Sequence, residues 1–125
     1  MGNFEHDELT EKIIGCCYEV HRALGPGFIE KIYAKALQQQ QLTIEGLSFV
    51  AEKEFNVIFK DHLVGKFRCD LFIEGKVIVE LKSVTGLIPA LFKSQLLSYL
   101  KASHVKTGLL INFGNLSCEV KRISV

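Results

Sequence analysis

Apolar side chains recur at helical spacing over the first third of the chain. From about residue 5 to residue 24 they form one stripe that includes Ile13 and Val20, which predicts an amphipathic helix. The segment Gly25-Pro26-Gly27 is a strong helix stop. A second helix is predicted to begin near Phe28 and to end at Gly46. The chain is therefore expected to start with two helices joined by a sharp turn.

The spacing of the apolar residues becomes alternating at Phe49, which indicates β-structure. A later run is apolar on both faces apart from Glu80 and Lys82, a pattern typical of a central, covered strand. Pro89 occupies a position where helices often begin. The pattern predicts strands over residues 49–59, 63–73, 77–82, 107–113 and 118–125, and a helix over residues 90–102.

The predicted order of elements is ααβββαββ. Because a helix separates the third and fourth strands, these two strands are expected to be parallel neighbours in one sheet. The fold class is therefore α/β, with a mixed central sheet flanked by helices. A length of 125 residues suits one hydrophobic core, so residues 1–125 are expected to form a single domain.

The overall charge is close to balanced, with 15 Lys and Arg residues against 14 Asp and Glu residues. Proteins that bind nucleic acid through many phosphate contacts usually carry a basic excess. A formal net charge of +1 gives no such general attraction. A polyanionic partner would therefore have to bind at a local site, weakly and with the help of a bound cation.

The four cysteines, at positions 16, 17, 69 and 118, form neither a C-x-x-C pair nor a zinc-finger spacing. The N-terminal residues are acidic and contain no apolar segment of a secretory signal. No apolar run approaches the roughly 18 residues of a membrane span. These features predict a reduced, soluble, cytoplasmic protein that does not contact a membrane.

Three charged residues, Asp70, Glu80 and Lys82, interrupt apolar strands. A charge in a covered strand is strongly destabilising unless it is paired or bound to a metal. Glu80 and Lys82 are two residues apart in one strand, so their side chains project from the same face.

The position of Asp70 relative to Glu80 depends on the turn between their strands. A three-residue turn, either 74–76 or 73–75, places Asp70 on the face that carries Glu80. A two-residue turn at Glu74-Gly75 places it on the other face. We predict the three-residue turn, so that two carboxylates share a face with one ammonium group.

Such a group of residues has a chemical use. Two carboxylates supply the hard oxygen ligands that Mg²⁺ or Mn²⁺ requires, and water and a substrate phosphate can complete the octahedron. A neighbouring lysine can orient the attacking water or neutralise developing negative charge. The alternative is an internal ion pair between these carboxylates and Lys82 at the end of the sheet, with a purely structural role.

Asp70 followed by Glu80-Leu81-Lys82 resembles the D…E-x-K signature of the PD-(D/E)XK nuclease superfamily. Within residues 21–33, Gly27, Glu30 and Tyr33 are similar to the signature of the GxxExxY proteins, a bacterial and archaeal family of that superfamily. The resemblance covers nearly the whole chain. Further blocks that are similar to the family, in the same order, are residues 65–71, 95–100 and 109–113.

The resemblance implies a restriction-endonuclease-like core and a set of roles. Asp70 and Glu80 would bind the metal, and the carbonyl group of Leu81 could add a ligand. Lys82 would assist the water. Glu30 would be a further catalytic acid that reaches the metal directly or through water.

The resemblance also implies substrate-binding residues. Gln95 and Tyr99 match a Q-x-x-x-Y element of nucleases of this group. Tyr33 is expected to bind the substrate together with them. Without the resemblance, Gln95 and Tyr99 would be interpreted as a hydrogen-bonding pair on a helix surface. Glu30 and Tyr33 would be a surface acid and a half-buried aromatic residue.

These observations predict a nuclease that uses Mg²⁺ or Mn²⁺ to hydrolyse phosphodiester bonds in DNA or RNA. The alternative is a non-catalytic module that keeps the fold and binds nucleic acid or protein. A homodimer is a further expectation, because a domain of this size offers only a shallow cleft.

Overall fold

The order of helices and strands follows the prediction, except that two predicted strands and the second predicted helix are each divided. The computed structural model describes residues 2–125, leaving out the side chains of residues 2–7, 40 and 41. The helices are α1 Gly2–Leu24, α2 Glu30–Ala36, α3 Leu42–Ile44 and α4 Ala90–Ser103, with a π-helical segment Leu37–Gln41 after α2. The strands are β1 Phe49–Ala51, β2 Glu54–Phe59, β3 His62–Arg68, β4 Leu71–Ile73, β5 Val77–Lys82, β6 Thr107–Asn112 and β7 Glu119–Ser124.

The second predicted helix is shorter at its start and irregular in its middle. It begins at Glu30 because Gly27 has a φ of 107° and Ile29 is extended, with φ −75° and ψ 159°. Its last regular turn, α3, ends at Ile44, two residues before Gly46, which has a φ of 71°. The turn before α2 therefore places Glu30 at the first position of the helix.

Both divided strands break at the same level of the sheet. Glu52 has a φ of 52°, which turns the chain out of β1, and Asp70 lies between β3 and β4. The backbone N–H of Glu52 donates to the carbonyl of Asp70 at 2.9 Å across this break. The predicted strands 49–59 and 63–73 are thus wrong in continuity: β2 and β3 form a separate hairpin, while β1 and β4 stay in the main sheet.

The main sheet described within residues 2–125 has five strands in the order β1-β4-β5-β6-β7. Strands β5 and β6 are parallel, with Val77 opposite Thr107 and Lys82 opposite Asn112, and the other neighbours are antiparallel. The predicted parallel pair and the mixed sheet flanked by helices are confirmed.

Hydrophobic cores cover both faces of this sheet. On one face, side chains such as Val79 and Leu81 pack with residues of α1 and α2, including Ile13 and Tyr33. On the opposite face, Ile78 packs with residues of α4, mainly leucines. Glu80 and Lys82 alternate with Val79 and Leu81, so they project from the face of the sheet that α4 covers. Among the described residues, no helix combines the length and apolar character that crossing a membrane requires.

Candidate active site

Asp70 and Glu80 face each other across the hairpin of β4 and β5. The turn comprises residues 74–76, because Ile73 pairs with Val77 in the antiparallel register. Continuing this register by three residues brings Asp70 opposite Glu80. The predicted three-residue turn is confirmed, and the two carboxyl groups share the sheet face that α4 covers.

Backbone hydrogen bonds hold both carboxylates in place. The N–H of Asp70 donates to Oε2 of Glu80 at 2.8 Å, and the N–H of Leu81 donates to Oδ2 of Asp70 at 2.7 Å. Glu80 is 6% exposed, and Asp70 is half-buried. None of the ion pairs formed by the described residues involves either carboxylate. The site therefore holds two acids without a cation in direct contact.

This environment favours the protonated form of the pair. Burial, followed by the negative charge of Asp70, raises the pKa of Glu80 to about 7. Burial also raises the pKa of Asp70. The two carboxyl groups are close enough to influence each other by a side-chain hydrogen bond, so they can share one proton. A divalent cation would replace that proton and relieve the repulsion between the carboxylates.

Lys82 is close to the pair without forming an ion pair with it. Its charge lowers the pKa of both Asp70 and Glu80, so it lies within electrostatic range of each. Its Nζ lies 4.4 Å from the centroid of the Phe92 ring on α4. A cation–π contact of this kind holds a lysine in position while leaving its N–H donors available. The alternative of an internal ion pair between Lys82 and the carboxylates is therefore not supported by the described residues.

Glu30 reaches the same region from the other side of the sheet. It borders a cavity of about 350 Å³ that is also bordered by Asp70 and Leu81. Its negative charge raises the pKa of Asp70. The structure thus brings Glu30, Asp70 and Leu81 to one cavity. Contact between Glu30 and a metal ion stays a prediction.

Tyr99 and Gln95 on α4 are placed differently from each other. The Tyr99 ring stacks on Phe67 with 4.0 Å between centroids. Burial raises the pKa of Tyr99, and the negative charges of Glu80 and Asp70 raise it further. The Tyr99 hydroxyl therefore lies within electrostatic range of both carboxylates. Gln95 is exposed and forms no hydrogen bond with a described residue. Substrate binding by either residue stays a prediction.

A family model of the PD-(D/E)XK nuclease superfamily matches residues 7–123 of the 125 residues. The match includes all of β1 to β6, all of β7 except its last residue, and the residues Glu30, Asp70, Glu80 and Lys82. The chain belongs to the PD-(D/E)XK nuclease superfamily. No curated protein is a significant match to the chain.

The superfamily chain is also similar to a solved structure described as "Crystal structure of SSO0001". The TM-score is 0.58 with 20% sequence identity, and the similarity covers 75% of this chain and 48% of that one. The chain thus matches about half the length of that protein. At this identity the similarity shows a shared fold.

PD-(D/E)XK nucleases generally use divalent metal ions, and the residues at this site suit one. Asp70 and Glu80 supply two hard carboxylate oxygen donors, and the fold brings the backbone of Leu81 beside them. In the described part of the chain, no group of three or more His, Cys, Asp and Glu side chains is arranged to hold a metal ion. Mg²⁺ is usually coordinated by one or two carboxylates together with water molecules, so two carboxylates with a backbone carbonyl and water suit this ion.

The tyrosine of this PD-(D/E)XK chain's G-x-x-E-x-x-Y segment has a structural position. Tyr33 is fully buried, and its ring stacks on Phe113 with 4.2 Å between centroids. Its hydroxyl donates to the carbonyl of Gly25 at 2.6 Å and accepts from the N–H of Phe28 at 3.2 Å. Substrate binding by Tyr33 is therefore contradicted by its burial. The hydroxyl instead fixes the turn that sets Glu30 at the start of α2.

Sequence reasoning missed two asparagines that hold the loop after Lys82. The side chain of Asn112 accepts from the N–H of Val84 and donates to its carbonyl, both at 2.9 Å. Asn115 contacts the N–H and carbonyl of Gly86 in the same way, both at 2.8 Å. Asn112 is the polar end of an apolar strand, a signal that could have been noticed. These contacts fix the chain between Lys82 and α4.

Proposed function

We propose that this chain is a metal-dependent nuclease that hydrolyses phosphodiester bonds in DNA or RNA. The observation that carries the proposal is the pair Asp70 and Glu80, held opposite each other by backbone N–H groups without an ion-paired cation. A buried acidic pair of this kind is destabilising on its own. A bound cation would compensate for that cost, so the arrangement makes sense as part of a metal site.

Each residue has a proposed task. Asp70 and Glu80 bind Mg²⁺ or Mn²⁺, with a further ligand from the Leu81 carbonyl and a contact from Glu30 through water. Bound there, the ion would stabilise charge on the scissile phosphate and lower the pKa of a coordinated water. Lys82, whose amino group is steadied by Phe92, orients that water and neutralises developing charge.

The remaining parts of the proposal concern the chain as a whole. Gln95 and Tyr99 contact the substrate from α4, and the chain acts as a single domain over residues 1–125 in the cytoplasm. Membership of the GxxExxY family is supported by Gly27, Glu30 and Tyr33. The homodimer expected from the sequence stays a prediction.

Removal of the metal tests the proposal. The purified protein should cleave at least one substrate in a panel of single- and double-stranded DNA and RNA when Mg²⁺ or Mn²⁺ is present. Excess EDTA should abolish cleavage, and added Mg²⁺ should restore it. If the panel stays intact under all metal conditions while the protein still binds nucleic acid, the non-catalytic module is the correct alternative.

A further inference from the structure

The cavity beside Asp70 is lined on one side by two lysines that have no role in the proposed chemistry. One side is formed by α2 and the start of the π-helical segment, and the other by the ends of β1, β4 and β5. Lys31 and Lys35 line it from α2, followed by Gln38 one turn further. Lysines at positions i and i+4 lie about 5–6 Å apart at their Cβ atoms on one helix face. The positively charged side chains of Lys31 and Lys35 therefore lie in a row along α2, beside the proposed metal position.

These two lysines differ from the basic residues on the α4 side of the site. There, Arg68 forms ion pairs with Glu52 at 3.5 Å and Glu54 at 3.2 Å. Lys82 lies over the Phe92 ring. Arg68 and Lys82, the basic residues nearest the carboxylates on that side, are thus already engaged within the protein.

On the α2 side, Lys31 and Lys35 are exposed, and neither takes part in an ion pair among the described residues. Three acidic residues, Glu30, Glu52 and Asp70, also line the cavity, and none of them forms an ion pair with either lysine. Glu30 and Asp70 belong to the proposed metal site. Glu52 pairs with Arg68, and Asp70 accepts from the Leu81 N–H beside the proposed metal position. An anionic ligand in this cavity would therefore meet two lysines that form no ion pair with a described residue, next to acids that a bound metal ion would neutralise.

We propose that Lys31 and Lys35 bind the phosphodiester backbone of the substrate next to the scissile phosphate. The nucleic-acid strand then runs along α2, and Gln38 extends the same contact surface. This inference rests on the proposed function, and it adds the direction in which the substrate leaves the site.

The test compares two double variants that lose the same charge. Lys31→Gln with Lys35→Gln removes the proposed contacts, and Lys93→Gln with Lys101→Gln removes two exposed lysines of α4. KM and kcat are measured for a DNA and an RNA oligonucleotide of one sequence, with Mg²⁺, at several KCl concentrations. Each phosphate contact contributes about 0.7 to 0.9 to the slope of log affinity against log salt.

The α2 variant should raise KM by about tenfold, lower the salt slope by about 1.5, and change kcat less than twofold. The α4 variant should leave all three close to the wild type. An unchanged KM and slope in the α2 variant, with cleavage intact, would overturn this inference alone. The absence of cleavage by the wild type would overturn the proposed function, and this inference with it.

Discussion

Replacing Glu80 by Gln is expected to reduce metal-dependent cleavage by at least about 100-fold. Glutamine keeps the size of the side chain, and its carbonyl oxygen can still accept the hydrogen bond from the Asp70 N–H, which is 2.8 Å long in the wild type. It removes the negative charge that a divalent cation requires. The measurement is the single-turnover cleavage rate of the best substrate at saturating Mg²⁺, compared between the variant and the wild type.

The same variant needs a control for folding, and the pH dependence of stability supplies it. The folded protein holds the Glu80 proton up to a pKa of about 7, against an ordinary value of 4.5. Because the folded state binds this proton more tightly than the unfolded state, the free energy of unfolding should fall as pH rises from 4.5 to 7. Asp70, whose pKa is also raised, acts in the same direction.

In metal-free buffer, Glu80→Gln should lack most of this fall and should be at least as stable as the wild type at pH 8. Urea unfolding at pH 5 and pH 8 measures both proteins. A variant that is clearly less stable at pH 8 would instead indicate a structural role for the carboxylate. Cleavage at the wild-type rate would remove Glu80 from the mechanism.

Replacing Gly114 by Ala is expected to lower the free energy of unfolding by about 3 kcal/mol. A Cβ at this position would overlap the backbone of Val84, 2.5 Å from the carbonyl carbon. Val84 cannot easily move away, because Asn112 binds both its N–H and its carbonyl at 2.9 Å. The loop after Lys82 would therefore be displaced, and cleavage should fall together with stability.

A second glycine gives the matched control. Gly15 is an exposed residue inside α1, and a Cβ added there would meet nothing within 4 Å. Gly15→Ala should raise stability by roughly 0.5–1 kcal/mol, because alanine is the better helix former. Urea unfolding of both variants gives the comparison. A Gly114→Ala protein within about 0.5 kcal/mol of the wild type would show that the loop is not tightly held.

The face shared by Asp70 and Glu80 could be predicted from the sequence because side chains in strands alternate with a period of two. A three-residue turn places residues 70 and 80 opposite each other, so their side chains project from the same face of the sheet. The parallel pairing of β5 and β6 followed in the same way from the helix between them. Local periodicity was therefore sufficient for the position of the two acids.

Other features depend on contacts between distant residues and leave no periodic signal. The break at Glu52 and Asp70 interrupts two strands whose apolar alternation continues across it. The burial of Tyr33 depends on its stacking with Phe113, 80 positions later in the chain. The contact of Lys82 with Phe92 could likewise not be predicted from the sequence pattern, because it joins a strand to a helix.

The balanced charge of the chain agrees with the site that the structure shows. A net charge of +1 provides little general attraction for nucleic acid. The proposed substrate contact is instead confined to a cation at Asp70 and Glu80 and to Lys31 and Lys35 along α2. Binding should therefore depend on the metal and be sensitive to salt.

The central claim is that Asp70 and Glu80 form a site for a divalent cation. Isothermal titration calorimetry with Mn²⁺ at pH 8, where the pair has lost its shared proton, tests it most directly. The wild type should show saturable binding that is lost in Glu80→Gln, while Glu45→Gln, which alters a surface carboxylate of the same chain, should bind as the wild type does. Equal binding by the wild type and Glu80→Gln, or no binding by the wild type, would contradict the account.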